Sequence, residues 1–259
     1  LGEDGLLIVN GDDENIKSAL QVHALQAQSR VITYGTDEGN EFVIKNYRQE
    51  GLSSTFNVSR NSTELGEFTL LVPGYHNAKN ALSVIALLVE LGFSVSSIQK
   101  VLPDFLGSKR RLERIGVTSS GSLIFDDYAH HPEEIRKTLE AVRAAFPDKK
   151  ITVVFQAHTY ARTRSLLSEF VSSFAGASEL IILPTFASAR DSGSSNIEED
   201  RAFVEKIRAI QPNVKLIETI PGVVEYIDKN IVGSDKIVIT MGAGDVYKIA
   251  HRIIEDSHG

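Results

Sequence analysis

The chain has 259 residues, 42% hydrophobic and 24% charged, a balance that excludes a disordered or collagen-like chain and suits one or two globular domains. Its 27 Lys and Arg against 34 Asp and Glu give a net charge of −7, which argues against nucleic acid as the main partner. There is no cysteine, so disulfides, thiolate metal sites and a cysteine nucleophile are excluded; no apolar run approaches the ~18 residues of a membrane span, and the cytoplasm is the expected compartment.

The sequence opens inside a pattern. Leu6–Val9 reads as a strand, Asn10–Asn15 as a turn and helix start, Ile16–Gln28 as a helix and Arg30–Tyr34 as a second strand. Leu1 is not Met and little precedes this unit, so a fragment with material removed upstream is expected. After Gly35 apolar residues alternate through Glu41–Tyr47, Thr55–Ser59 and Phe68–Val72, punctuated by Gly39, Gly51, Asn61 and Gly66; this predicts a β-meander. Pro73-Gly74 ends it. An apolar helix follows from about Asn77 to Leu91, stopped by Gly92, and a shorter one over Ser96–Leu102 stops at Pro103. Phe105–Arg111 reads as a basic linker, with a domain boundary near residue 108.

From there strands and helices alternate. The strands are Leu123–Phe125, Ile151–Phe155, Leu180–Leu183, Val214–Ile217 and Lys236–Thr240. The helices are Pro132–Ala145, Thr163–Phe174, Asn196–Ile210, Gly222–Asn230 and Asp245–Glu255. Pro132 suits a first helical position, and Glu133 and Glu134 suit the positive helix end. Strands of continuous apolar residues between helices imply a mostly parallel sheet covered on both faces. The expected fold is therefore α/β. A doubly wound, Rossmann-like domain spans 109–259, preceded over 1–108 by a partial α/β domain with the meander.

Ligands of open parallel sheets bind beyond the carboxyl ends of the strands, and the unusual residues fall there. One strand runs into Asp126-Asp127-Tyr128-Ala129-His130-His131-Pro132, a second into Gln156-Ala157-His158-Thr159-Tyr160-Ala161-Arg162-Thr163-Arg164, and a third into Met241-Gly242-Ala243-Gly244-Asp245. Carboxylates in the first could hold ribose hydroxyls or Mg²⁺-bound waters, and one of its histidines could simply cap the helix. Arg162 and Arg164 could grip a carboxylate or phosphate, or belong to a solvated face. In the first domain Asn77 and Asn80 share a helical face able to read a flat base, with N-capping by Asn77 as the plainer explanation. Lys109-Arg110-Arg111 is a positive group suited to a polyanion, or a solvated linker. Gly242-Ala243-Gly244 is no dinucleotide fingerprint, because Tyr247 stands where a third glycine is needed, and no GxxxxGK[ST] occurs in the chain.

Gly74-Tyr75-His76-Asn77-Ala78-Lys79-Asn80-Ala81 resembles the G-x-H-N-x-x-N-A signature of the Mur ligase family, and Arg110-Arg111-Leu112-Glu113 resembles the segment opening that family's last domain. DDYAHHP (126–132), FQAHTYART (155–163) and the closing Gly242–Asp245 are similar to its alanine-adding branch, with the muropeptide-recycling branch as the nearest alternative. The resemblance covers essentially the whole chain, as the tail of the family's ATP-binding central domain (1–108) and its C-terminal domain (109–259). It implies ATP-driven amide formation between UDP-N-acetylmuramate and L-alanine through an acyl phosphate, with Mg²⁺ and with N-terminal domains that are missing here. It also implies that the fragment alone is inactive.

By motif, the resemblance puts Asn77 and Asn80 at adenine with His76 flanking, Arg111 at the phosphates, and Asp126, Asp127 and Tyr128 at the nucleotide. Tyr128 and His131 fall at the junction of nucleotide and substrate; His158, Arg162 and Arg164 face the sugar acid and alanine, with Arg162 on the amino-acid carboxylate. Asp127, His131 and His158 are the catalytic candidates, and no protein metal site is implied. The branch usually reads FQPHRYTRT, so Ala157 and Thr159 depart from it; Thr159 cannot offer a guanidinium fork, which leaves Arg164 to compensate. The loop Pro184–Asp191 ends a strand on the same rim without a defined role. A metal-dependent hydrolase using Asp126, Asp127, His130, His131 and His158 is the competing reading, weakened by the lack of an HxH or HxxxH spacing.

Overall fold

The structure, a computed structural model, describes residues 5–23, 30–186 and 196–258. It comprises two compact units, Leu1–Leu106 and Gly107–Gly259.

In the first unit β1 (Leu6–Asn10), α1 (Glu14–His23) and β2 (Arg30–Gly35) form a parallel strand–helix–strand. Residues 24–28 of the expected helix lie outside the described residues. Next come β3 (Phe42–Glu50), β4 (Ser53–Arg60) and β5 (Thr63–Leu70), which form the antiparallel meander. β3 also lies parallel to β2, so all five strands make one sheet in chain order. α2 (Tyr75–Glu90) packs Ala78, Leu82 and Ile85 into a core with Ile32, Phe42, Phe56 and Phe68. Each such large side chain contributes about 1.5–3 kcal/mol on full burial. α3 (Val95–Val101) follows, capped by Ser94.

α2 begins two residues before the expected start. Its N-cap is Gly74, at φ 97°, a left-handed backbone that suits glycine. Asn77 is therefore not the cap; its Nδ2 donates to the Pro73 carbonyl at 2.8 Å, fastening the first turn to the preceding loop.

The second unit runs β6 (Glu113–Val117), β7 (Leu123–Asp127), α4 (Pro132–Ala145), β8 (Lys150–Gln156), α5 (Tyr160–Ser165), α6 (Leu167–Ser173), β9 (Glu179–Leu183), α7 (Ile197–Arg208), β10 (Val214–Leu216), α8 (Ile220–Asn230), β11 (Lys236–Met241) and α9 (Tyr247–His258). The sheet order is β10-β9-β8-β11-β7-β6; every pair is parallel except β6 with β7. Helices cover both faces. Val223, Ile227, Ile249 and Ile253 of α8 and α9 pack on Ile124, Val154, Ile181 and Val238, while the Phe170 and Phe174 rings pack at an angle against Phe155, 5.7 and 5.1 Å between centroids.

Two elements differ from expectation. β6 is an added edge strand, with a bulge between Arg114 and Gly116. The helix expected over Thr163–Phe174 starts earlier and is two helices. Thr159 caps α5, its Oγ1 accepting from the Arg162 N–H at 3.3 Å, and Leu166 (φ −114°, ψ 25°) leaves helical geometry between α5 and α6.

Candidate functional site

β11, near the end of the chain, lies between β7 and β8. Met241 is in register with both Asp127 and Phe155, so the three polar segments leave adjacent strands on one rim. Their close approach depends on glycine. A Cβ on Gly242 (φ 144°) would lie 2.4 Å from the Gln156 carbonyl oxygen, and one on Gly244 would lie 2.7 Å from Gln156 Oε1 and 3.0 Å from the Phe186 ring. Gln156 Nε2 donates to the Pro184 carbonyl at 3.2 Å.

Both aspartates of the first segment are turned inward. Asp126, 1% exposed, accepts from Thr240 Oγ1 at 2.6 Å and from Arg110 Nε at 3.0 Å. Asp127 accepts from the Ala129 N–H at 2.7 Å, the Leu112 N–H at 3.0 Å and Thr138 Oγ1 at 3.1 Å. Burial pushes its carboxyl up to about 6, outweighing those three hydrogen bonds and the nearby Arg111.

Arg110 was not singled out by the sequence beyond a basic run, yet it joins the rim together. Its Nη2 donates to the Gly242 carbonyl at 2.6 Å, and its guanidinium lies between the Tyr128 and Tyr247 rings, 5.0 and 4.8 Å from their centroids. The turn that carries it has two non-glycine residues at positive φ, Arg110 (58°) and Leu112 (47°), held by hydrogen bonds from their N–H groups to Glu113 and Asp127. Arg111 is exposed, 3.9 Å from Glu134 and 5.9 Å from the Tyr128 ring.

The two adjacent histidines do different things. His131 is the N-cap of α4: its Nδ1 accepts from the Glu133 N–H at 3.3 Å, and Glu134 closes a capping box by accepting from the His131 N–H at 3.2 Å. His130 points the other way, its Nδ1 3.0 Å from the Tyr128 carbonyl and 3.5 Å from Glu134 Oε2. Burial opposes ionisation of Glu134, but the His130 and His131 N–H groups and the charges of His130 and Arg111 hold its carboxyl below the ordinary value. The rings of Tyr128, His130, His158 and Phe186 form a continuous row, with successive centroids 5.2, 6.2 and 6.1 Å apart.

In the second segment Thr159 serves as helix cap, and Arg162 has a buried Nη1 with no hydrogen-bond partner among the described residues. Arg164 faces α7 and pairs with Glu199 at 3.1 Å. Tyr160 is buried and donates to Asp200, which also holds Thr185 at 2.7 Å and so anchors the start of the Pro184 loop. Residues 187–191 of that loop lie outside the described residues.

In the first unit His76 and Asn77 are partly exposed and Asn80 is exposed at the start of α2. Beside them Lys79 donates to Asp12 at 2.8 Å. Asp12 also accepts from Thr36, Asp37 and Asn40, and these bonds overcome burial to hold its carboxyl far below the carboxylate range. Asp12 and Arg110 were missed because the partners of their side chains lie 16–132 residues away in sequence.

A doubly wound sheet with three polar loops on adjacent strand ends defines a ligand-binding α/β unit. The chain belongs to the Mur ligase family: residues 1–88 match the Mur ligase middle domain and residues 110–244 match the Mur ligase, glutamate ligase domain. It is 41% identical over 234 residues to UDP-N-acetylmuramate–L-alanine ligase of Desulfitobacterium hafniense, covering 90% of this chain and 51% of that protein. It is 35% identical over 258 residues to the enzyme of that name from Caldanaerobacter subterraneus, covering 98% and 54%. The fold matches the crystal structure of UDP-N-acetylmuramate-alanine ligase from Thermotoga maritima with a TM-score of 0.77 at 22% identity, over 98% of this chain and 60% of that one. The chain spans about half the length of the curated relatives it matches.

Proposed function

We propose that this chain is the middle and C-terminal portion of an ATP-dependent carbon–nitrogen ligase that adds L-alanine to UDP-N-acetylmuramate, acting in the cytoplasm where both nucleotides are made. The observation that carries the reading is the convergence of the three loops on β7, β11 and β8, in a chain similar along both units to relatives of that name. The lactyl carboxylate attacks the γ-phosphate of ATP, giving an acyl phosphate and ADP; the amine of L-alanine then displaces phosphate. Such chemistry requires cations at the phosphates and fixed positions for three reactants.

In this reading His76, Asn77 and Asn80 are the adenine-binding candidates of the first unit, and Arg111 and Tyr128 are the phosphate- and ribose-binding candidates of the second. Asp126 and Asp127 act as positioning residues, because their oxygens already hold Arg110, Thr240, Leu112, Ala129 and Thr138. Arg162 binds the amino-acid carboxylate with its Nη1, which has no hydrogen-bond partner among the described residues. His158 borders the sugar acid, and His131 orients α4. Arg164 is engaged with Glu199 and stands outside the site. Mg²⁺, bound together with ATP, would supply the charge that neutralises its phosphates. Among the described residues no group of three or more His, Asp or Glu side chains is gathered to hold an ion, so no step is assigned to one and the hydrolase reading loses its ligand set.

The 259 residues contain no GxxxxGK[ST], so the γ-phosphate cradle is supplied from outside them. The test measures ADP and phosphate release with ATP, UDP-N-acetylmuramate and L-alanine. The expected result is no turnover by this chain alone, and turnover dependent on all three substrates once it is joined to the N-terminal half its relatives carry. A joined polypeptide that prefers a murein tripeptide to L-alanine overturns the choice of acceptor; one that turns over nothing overturns the reading.

A further inference from the structure

The two histidines of the DDYAHHP segment both turn Nδ1 toward the protein, but toward partners of opposite kind. His131 Nδ1 accepts a backbone N–H, so its neutral ring carries the proton on Nε2. His130 Nδ1 faces two acceptors, the Tyr128 carbonyl at 3.0 Å and the Glu134 carboxylate at 3.5 Å. A nitrogen flanked only by acceptors must carry the proton, so the neutral His130 ring presents a bare lone pair on Nε2. Among the described residues nothing hydrogen-bonds to Nε2, and the side chain keeps 22% of its surface exposed. The carboxylate behind Nδ1 orients the ring and stabilises the imidazolium that forms when Nε2 takes a proton. The other groups facing this ring are the edge-on phenol of Tyr128 at 5.2 Å and the His158 ring at 6.2 Å; Arg111 lies beyond Glu134.

Resting on the ligase reading, we propose that His130 is the catalytic base that deprotonates the incoming amine, with Glu134 as its positioning residue. An amino acid arrives as an ammonium, which has no lone pair with which to attack. His130 Nε2 takes one proton, giving the free amine and an imidazolium held by Glu134. The amine nitrogen bonds to the acyl-phosphate carbon, the carbon–oxygen bond to phosphate breaks, and the second amine proton leaves with the phosphate as hydrogen phosphate. The imidazolium returns its proton to solvent. His131 cannot do this, because its accepting nitrogen is occupied by the helix.

The experiment compares L-alanine with hydroxylamine, an acceptor largely unprotonated at neutral pH, in the polypeptide joining this chain to the N-terminal half of its relatives. His130→Gln is expected to lower kcat with L-alanine about 100-fold or more while hydroxamate still forms at the wild-type rate. Glu134→Gln is expected to produce a smaller loss and to shift the acidic limb of the pH–kcat profile. Equal loss with both acceptors, or an unchanged alanine rate, overturns the proposal. A wild-type polypeptide that forms neither hydroxamate nor amide overturns the ligase reading instead. In the 259-residue chain itself, imidazole ¹⁵N shifts should show His130 as the Nδ1–H tautomer; an Nε2–H tautomer there also overturns it.

Discussion

Replacing Arg110 with methionine isolates the residue that joins the rim. Its guanidinium is 23% exposed and the Asp126 carboxylate it holds is 1% exposed, so Arg110→Met leaves a buried charge without its counter-ion. Removing one partner of a buried pair costs about 3–5 kcal/mol. Two features favour the lower end: Thr240 Oγ1 still donates to Asp126, and a methionine keeps part of the packing between Tyr128 and Tyr247. The expected loss is about 3 kcal/mol, or roughly 6–12 °C in the melting of a unit this size. The neighbouring Arg111→Met removes a long, exposed ion pair and a distant contact with the Tyr128 ring, and should cost about 0.5 kcal/mol or less. Asp126→Asn added to Arg110→Met should restore much of the loss, because it removes the stranded charge. Urea unfolding followed by circular dichroism measures all three. An Arg110→Met protein as stable as Arg111→Met, or a double variant weaker than the single one, would refute the account.

Because burial raises the Asp127 carboxyl to about 6 from the ordinary 3.8, its contribution favours the folded state fully below about pH 4. That contribution is lost as pH rises to about 6, by about 3 kcal/mol. Asp127→Asn should flatten this part of the stability–pH curve, and parallel curves for the two proteins would contradict it. Gly242→Ala drives a Cβ into the backbone oxygen of Gln156 from a positive φ and should cost about 2–4 kcal/mol, whereas Gly244→Ala meets rotatable side chains and should cost about 1–2 kcal/mol; a reversed order in denaturant melts would be inconsistent with the loop packing. Thr159→Ala should cost about 1 kcal/mol through the lost cap of α5, and Thr159→Ser should retain it. In the joined polypeptide Arg162→Ala should lower kcat/KM for L-alanine by an equivalent of about 2–4 kcal/mol, and an unchanged value would remove Arg162 from the site.

What could be read from the sequence was what short-range physics determines. The strands of the second unit are nearly continuous apolar runs, and helix Pro132–Ala145 is bounded as expected because proline and two glutamates mark its first turn. The three rim segments were visible because polar side chains cluster after apolar runs. β6 was hidden because Glu113–Val117 mixes charge, a bulge and a glycine in only five residues and pairs at the sheet edge. The direction of each side chain was also hidden. Asp126 and Asp127 look like ligand contacts until Arg110, Leu112 and Thr138 are seen to occupy them, and Arg110 cannot be told from Arg111 by sequence alone. Thr159 replaces a guanidinium expected at its position, and only the fold shows that its hydroxyl starts a helix.

The order of the larger sheet bears on how the chain is made. β7 and β8 are synthesised early, but the strand that separates them is complete only at Met241. Until then both expose unpaired backbone edges, a template for joining to another molecule. Completion of this sheet must therefore await synthesis of Lys236–Met241, and the contacts that join its two halves are long-range and slow to form. A chain cut before residue 236 should not be a slightly weaker version of this unit but two half-sheets prone to aggregate.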